Sequence, residues 1–223
     1  MRIVVDGIIG AGKTTQLDLL ERRGIKVVRE PLEKWPLDLF YEDMRRWALA
    51  LQLTILQTHQ PIDTPRLVVY ERSLFASRYV FWENLKRKGV VTSTEDEVHE
   101  RAFETYRWRP DVYIYISIPP EEAYEHVKRR EGQAGDFGVR LEYLQEIYAL
   151  YEEMLLRMPC RVHVVKGSRR TPEEIHVEIL EILSRYTADG MYVSDDGRKE
   201  MQTTGTHRRS VLCTPCADVC HLS

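Results

Sequence analysis

The sequence predicts an open α/β fold, a five-stranded parallel sheet flanked by helices, and three observations carry that expectation. Five short β-branched runs recur, at residues 3–5, 25–28, 67–70, 112–118 and 162–165. They are predominantly apolar, broken only at Lys26, Ser117 and His163, where a half-buried strand would alternate, which marks strands covered on both faces and therefore parallel pairing. Helical patterns separate the runs, as right-handed crossovers between parallel strands require.

The elements follow in order. Residues 14–23 form the first helix, directly after the first strand. Residues 37–59 read as one long helix, entered after Pro36 and stopped before Pro61. Residues 73–88 form another, closed by Gly89 as its C′ residue. Pro119 and Pro120 open a helix that runs to about Arg130, and Leu141, Leu144, Tyr148, Tyr151 and Leu155 recur on one face of the next. Thr171-Pro172-Glu173-Glu174 caps the last helix, with Pro at N1 and acids in the first turn. From about residue 187 the chain turns polar and aperiodic, and 187–223 is expected to be a disordered tail.

Composition narrows the function. A chain of 223 residues and 26.3 kDa can bury one substantial core. A formal net charge of -3 and a pI near 6.2 argue against a nucleic-acid coat, though not against a local phosphate site. No apolar run approaches a membrane span, and the first strand begins at Arg2 with no leader before it, so a cytoplasmic protein is expected. Of four cysteines, only Cys160 lies in the body of the chain, which suits a reducing compartment. Cys213, Cys216, Cys220 and His221 have zinc-ligand character, but only one close pair exists, and free thiols on an unstructured end are expected. His59, His126 and His163 show no ligand spacing and read as packing or surface residues.

The stretch "GIIGAGKTT", residues 7–15, fits G-x-x-x-x-G-K-[ST] through Gly7, Gly12, Lys13 and Thr14. It follows a strand and opens a helix, the context in which this motif cradles phosphates. Backbone N–H groups from Gly7, Gly10, Ala11, Gly12, Thr14 and Thr15 would turn toward phosphate oxygens, aided by the helix N-terminus. Lys13 would reach the β- and γ-phosphates, and the Thr14 hydroxyl would bind Mg²⁺. No N-K-x-D stretch for guanine is present, so the expected nucleotide is an ATP-like donor.

A second cluster forms on the same edge of the sheet. "VVREPLEKW" leaves Glu30 at the carboxyl end of the second strand, with Trp35 just beyond. "VVYERS" ends the third strand in Glu71, Arg72 and Ser73. That edge binds ligands in open α/β sheets. A lysine, two carboxylates and an arginine in one crevice are what phosphoryl transfer needs: charge clamps, a metal ligand and a base.

These residues carry a family resemblance over about residues 1–186. The blocks are residues 7–15, "EPLEKW" (30–35), "FYEDMRRWALALQ" (40–52), "ERSLFASRYVFWEN" (71–84), "PEEAYEHVKRR" (120–130) and "VRLEYLQEIY" (139–148). In this order they resemble the deoxynucleoside kinase family of the thymidine, deoxycytidine and deoxyguanosine kinase type, without zinc. The resemblance implies the P-loop NTPase fold, ATP and Mg²⁺ as cofactors, and transfer of the ATP γ-phosphate to a deoxynucleoside 5′-hydroxyl. It implies that Glu30 is the base, that Arg72 pairs with it, and that Glu71 holds Mg²⁺. Trp35 and Phe81 would enclose the base, Tyr41 would meet the sugar 3′-hydroxyl, and Gln52 the base edge. A single amide can serve thymine or, flipped, cytosine. Residues 126–138 would form a lid over the phosphates, with Arg129 and Arg130 supplying charge and Asp136 meeting the 3′-hydroxyl. A homodimer through helix faces is also implied.

The chain departs from the family at three places. Ile8 replaces a polar residue of the loop, the lid lacks one arginine, and the helix after Gln52 is one turn short. The last leaves Thr54 or Gln57 as rival readers of the base. Ser77 stands where deoxycytidine and deoxyguanosine kinases carry Asp, which inclines the reading toward thymidine and deoxycytidine. A thymidylate kinase shares the loop and a similar "REP" segment but wants a basic residue at position 30. A non-catalytic nucleotide-binding protein on this fold is the remaining alternative.

Overall fold

A computed structural model describes residues 1–129 and 139–186. Five strands, β1 (Arg2–Asp6), β2 (Lys26–Val28), β3 (Val68–Glu71), β4 (Val112–Ser117) and β5 (Arg161–Lys166), make one sheet in the order β2-β3-β1-β4-β5. Every pairing is parallel. Helices cover both faces, so Val4, Val5, Val69, Tyr113 and Ile114 are wholly buried, which accounts for the predominantly apolar runs. From β1 the chain crosses to β2 and β3 on one side and later to β4 on the other. The switch point therefore lies at the carboxyl end of β1, where the phosphate loop begins.

The helices are α1 (Lys13–Arg22), α2 (Leu37–Glu42), α3 (Met44–Thr58), α4 (Leu74–Ala76), α5 (Glu83–Arg87), α6 (Ser93–Tyr106), α7 (Pro120–Arg129), α8 (Leu141–Leu155) and α9 (Pro172–Ser184). Three expectations change here. The helix read as 37–59 breaks at Asp43, whose backbone turns extended (φ -146°, ψ 86°) and whose side chain accepts from the Arg46 amide at 3.1 Å. An Asp in that position prefers to cap a new helix over continuing the old one. The helix read as 73–88 is helical throughout, but Ser77–Trp82 winds as a π-helix between α4 and α5. Third, α6 has no counterpart among the predicted elements, although a reciprocal cap between Thr92 and Glu95 starts it. Gly89 does close α5 as expected, with φ 65°.

Among the described residues no helix is long and apolar enough to cross a membrane. The expected tail 187–223, with its cysteines, lies outside the described residues, as does most of the expected lid.

Candidate active site

A cavity of about 940 Å³ opens along the carboxyl edge of β1, β2 and β3. That is ample for a nucleoside-sized ligand. Its phosphate end is lined by Ile9, Gly10, Gly12, Lys13 and Thr14. Gly10 and Gly12 hold φ near 88° and 87°, and a Cβ on Gly10 would lie 2.4 Å from the Ala123 carbonyl oxygen on α7. Only glycine allows the loop that shape against that helix. The His126 ring reaches back to the Gly10 carbonyl at 2.9 Å, so the loop rests on α7. Gly7, Ala11 and Thr15 stand outside the cavity lining, and Thr15 faces solvent.

Lys13 Nζ donates to the Gly7 and Ile8 carbonyls, each at 3.1 Å. Burial, and then the Arg72 charge, pull its ammonium down to about 8. Thr14 and Glu71 both border the cavity. A hydroxyl and a carboxylate suit Mg²⁺, a hard cation that takes one or two protein oxygens and completes its shell with water and phosphate. The register supports this: Glu71 pairs across from Val5, level with the strand end that leads into the loop.

The acceptor end gathers the remaining residues. Glu30 Oε2 accepts from Arg72 Nε at 3.1 Å, with 16% and 9% of the two side chains exposed. Burial pushes the Glu30 carboxyl up to about 7, with Arg72 and Lys13 pulling the other way and Glu71 adding to the rise. For Arg72, burial opposes the charge, yet Tyr151, Glu30, Asp6 and Glu71 together hold the guanidinium well above its ordinary value. Its guanidinium also lies 4.7 Å from the centre of the Phe81 ring.

Trp35, Tyr41, Gln52, Ser77 and Phe81 all line this end. Trp35 Nε1 donates to Thr58 Oγ1 at 2.9 Å, which ties the segment after β2 to α3. Ser77 Oγ donates to Gln52 Oε1 at 2.6 Å, both side chains being buried. The two alternatives to Gln52 do not line the cavity: Thr54 turns its hydroxyl back to the Ala50 carbonyl at 2.8 Å, and Gln57 is exposed. Gln52 itself is buried on α3 and borders the cavity.

Arg129 ends α7 exposed and does not border the cavity, while Arg130 and Asp136 lie outside the described residues. Sequence reasoning missed several neighbours. His59, read as packing or surface, borders the cavity and holds the Arg72 carbonyl at 3.2 Å through Nε2. Asn84, Arg140 and Tyr143 also line it. Asp6 and Tyr151 sit behind the wall, the first visible in sequence only as an acid closing the apolar run "RIVVD".

Fold and site together define the P-loop NTPase fold, with one cavity running from the loop at residues 7–15 to the Glu30–Arg72 pair. Comparison with known sequences agrees. The deoxynucleoside kinase family profile matches residues 3–185. Thymidine kinase 2, mitochondrial, of Macaca fascicularis is 36% identical over 171 residues, 70% of this chain, which spans 64% of that protein's length. The thymidine kinase of Ictalurid herpesvirus 1 (strain Auburn) is 32% identical, covering 81% of this chain and 85% of its own. Deoxyadenosine kinase from M. mycoides, solved with dCMP and dCDP, superposes with a TM-score of 0.74 over 84% of this chain and all of its own, at 19% identity. The chain belongs to the deoxynucleoside kinase family.

Proposed function

We propose that the protein transfers the γ-phosphate of ATP to the 5′-hydroxyl of a deoxynucleoside, with thymidine and deoxycytidine favoured and thymidine first. The observation that carries this reading is the Glu30–Arg72 pair at 3.1 Å, in the same cavity as Lys13 and Thr14. Glu30, raised to about 7, takes the proton of the 5′-hydroxyl as that oxygen attacks. Arg72 and Lys13 balance charge on the transferring group and the leaving phosphates. Thr14 and Glu71 would hold Mg²⁺, which would neutralise phosphate charge. Phe81 and Trp35 enclose the base and Tyr41 meets the sugar.

Gln52 reads the pyrimidine edge. The Ser77 hydroxyl can donate to Oε1 or, rotated, accept from Nε2, so either amide orientation keeps a partner. That supports tolerance of both pyrimidines, and the two thymidine kinase relatives support thymidine first. Residues 1–186 carry the catalytic domain in this reading. The half-buried free thiol of Cys160 fits a cytoplasmic setting, and the working unit is a homodimer.

Mg·ATP assays across the four deoxynucleosides, with Glu30→Gln alongside, test the reading. A fall in kcat of about 10² is expected for the variant. A purine preference would overturn the substrate choice. ATP consumption with thymidine monophosphate, and none with thymidine, would make the protein a thymidylate kinase.

A further inference from the structure

We infer that Tyr151 is a positioning residue of this site, its hydroxyl joining the arginine of the acceptor end to the carboxylate that anchors the phosphate loop. The inference rests on the phosphoryl-transfer reading above. Tyr151 lies on α8, is wholly buried and does not border the cavity. Its hydroxyl donates to Asp6 Oδ1 at 2.8 Å and accepts from Arg72 Nη1 at 3.1 Å. A phenol has one proton to give and can accept, so both capacities are used.

Each end of that link is itself fixed. Asp6 Oδ1 accepts from the amide of Gly7, the first residue of the phosphate loop, at 2.7 Å, and Oδ2 takes the hydroxyl of Tyr113. Arg72 has φ 59°, an uncommon backbone for a side-chain-bearing residue. Its amide donates to the Val5 carbonyl at 3.1 Å, and its carbonyl is held by His59. With the backbone fixed at both peptide groups, the guanidinium is directed by its side-chain partners, Glu30 outside and Tyr151 behind. A neutral hydroxyl between Arg72 and Asp6 also keeps the two charges from pairing directly. A direct pair would draw the guanidinium inward, away from Glu30 and the reacting phosphate. An unbroken chain of hydrogen bonds thus runs from Gly7 through Asp6, Tyr151 and Arg72 to Glu30.

The competing role for Tyr151 is packing, since its ring lies 5.2 Å from that of Tyr115. Tyr151→Phe keeps the ring and removes only the hydroxyl. We expect kcat to fall about tenfold, with KM for the deoxynucleoside and for ATP within about twofold, the pattern of an interaction needed in the transition state. The same substitution in an Arg72→Lys background, whose ammonium lacks the second arm that meets the phenol, should cost no further turnover. Turnover of Tyr151→Phe within about twofold of the parent overturns the inference, as does an undiminished loss in the Arg72→Lys background. If the parent phosphorylates deoxynucleosides and Tyr151→Phe is silent, this inference alone fails. A parent inactive on every deoxynucleoside overturns both readings.

Discussion

The two ends of the cavity are built in opposite ways. The phosphate end draws Ile9, Gly10, Gly12, Lys13 and Thr14 from one short stretch of chain, which rests on α7 at Gly10 and is completed by the first turn of α1. The acceptor end draws Glu30 from the end of β2, Gln52 from α3, Arg72 from the end of β3, Phe81 from the π-helical turn and Tyr143 from α8. A contiguous loop binds by geometry that a short sequence can impose alone. A dispersed pocket holds its shape only through the contacts between its elements, such as Trp35 to Thr58 and Ser77 to Gln52. Substitutions at the first end should therefore act mainly through the donor, whereas those at the second should separate binding, proton transfer and stability.

The largest expected effect lies at the contiguous end. Lys13→Ala should lower kcat by about 10²–10³ through loss of a charge clamp. Deoxynucleoside affinity, read by calorimetry, should stay within a few-fold, and a parallel collapse of both affinities would erase the distinction between the ends. Next is the pH dependence of the dispersed end. Glu30 must be ionised to accept a proton, and its carboxyl sits near 7, so kcat/KM should fall as pH drops through that value. At pH 6 roughly a tenth of the high-pH plateau should remain. A flat profile from pH 6 to 8 would remove Glu30 from the proton transfer.

A smaller effect sharpens the comparison within the acceptor end. Ser77→Ala deletes one hydrogen bond to the Gln52 amide, a loss of about 1 kcal/mol. The expected result is a several-fold drop in kcat/KM for thymidine and deoxycytidine alike, with KM for ATP unchanged. A shift in ATP affinity instead would mean that the ends are not separable at this residue. The smallest effect is remote from both. Thr92→Ala removes the cap of α6 and should cost about 1 kcal/mol in denaturant unfolding with kinetics intact.

The sequence by itself determined the sheet and the phosphate loop. Predominantly apolar runs such as "VYIYIS" can settle only where both faces are covered, and "GAGKTT" admits little but a tight anion-binding turn before a helix. Glu30 and Arg72 were also legible, because each ends a strand on the edge where such sheets bind ligands. Tertiary structure decided the rest. Asp43 looked like one polar residue on a long helix until its neighbours let it cap a new one. Tyr151 reads as part of an apolar face, and only the approach of α8 to β1 and β3 brings its hydroxyl between Asp6 and Arg72. Periodicity and motif are properties of neighbouring residues, whereas a hydrogen bond spanning 145 positions, like that from Tyr151 to Asp6, exists only once the packed elements bring its partners together.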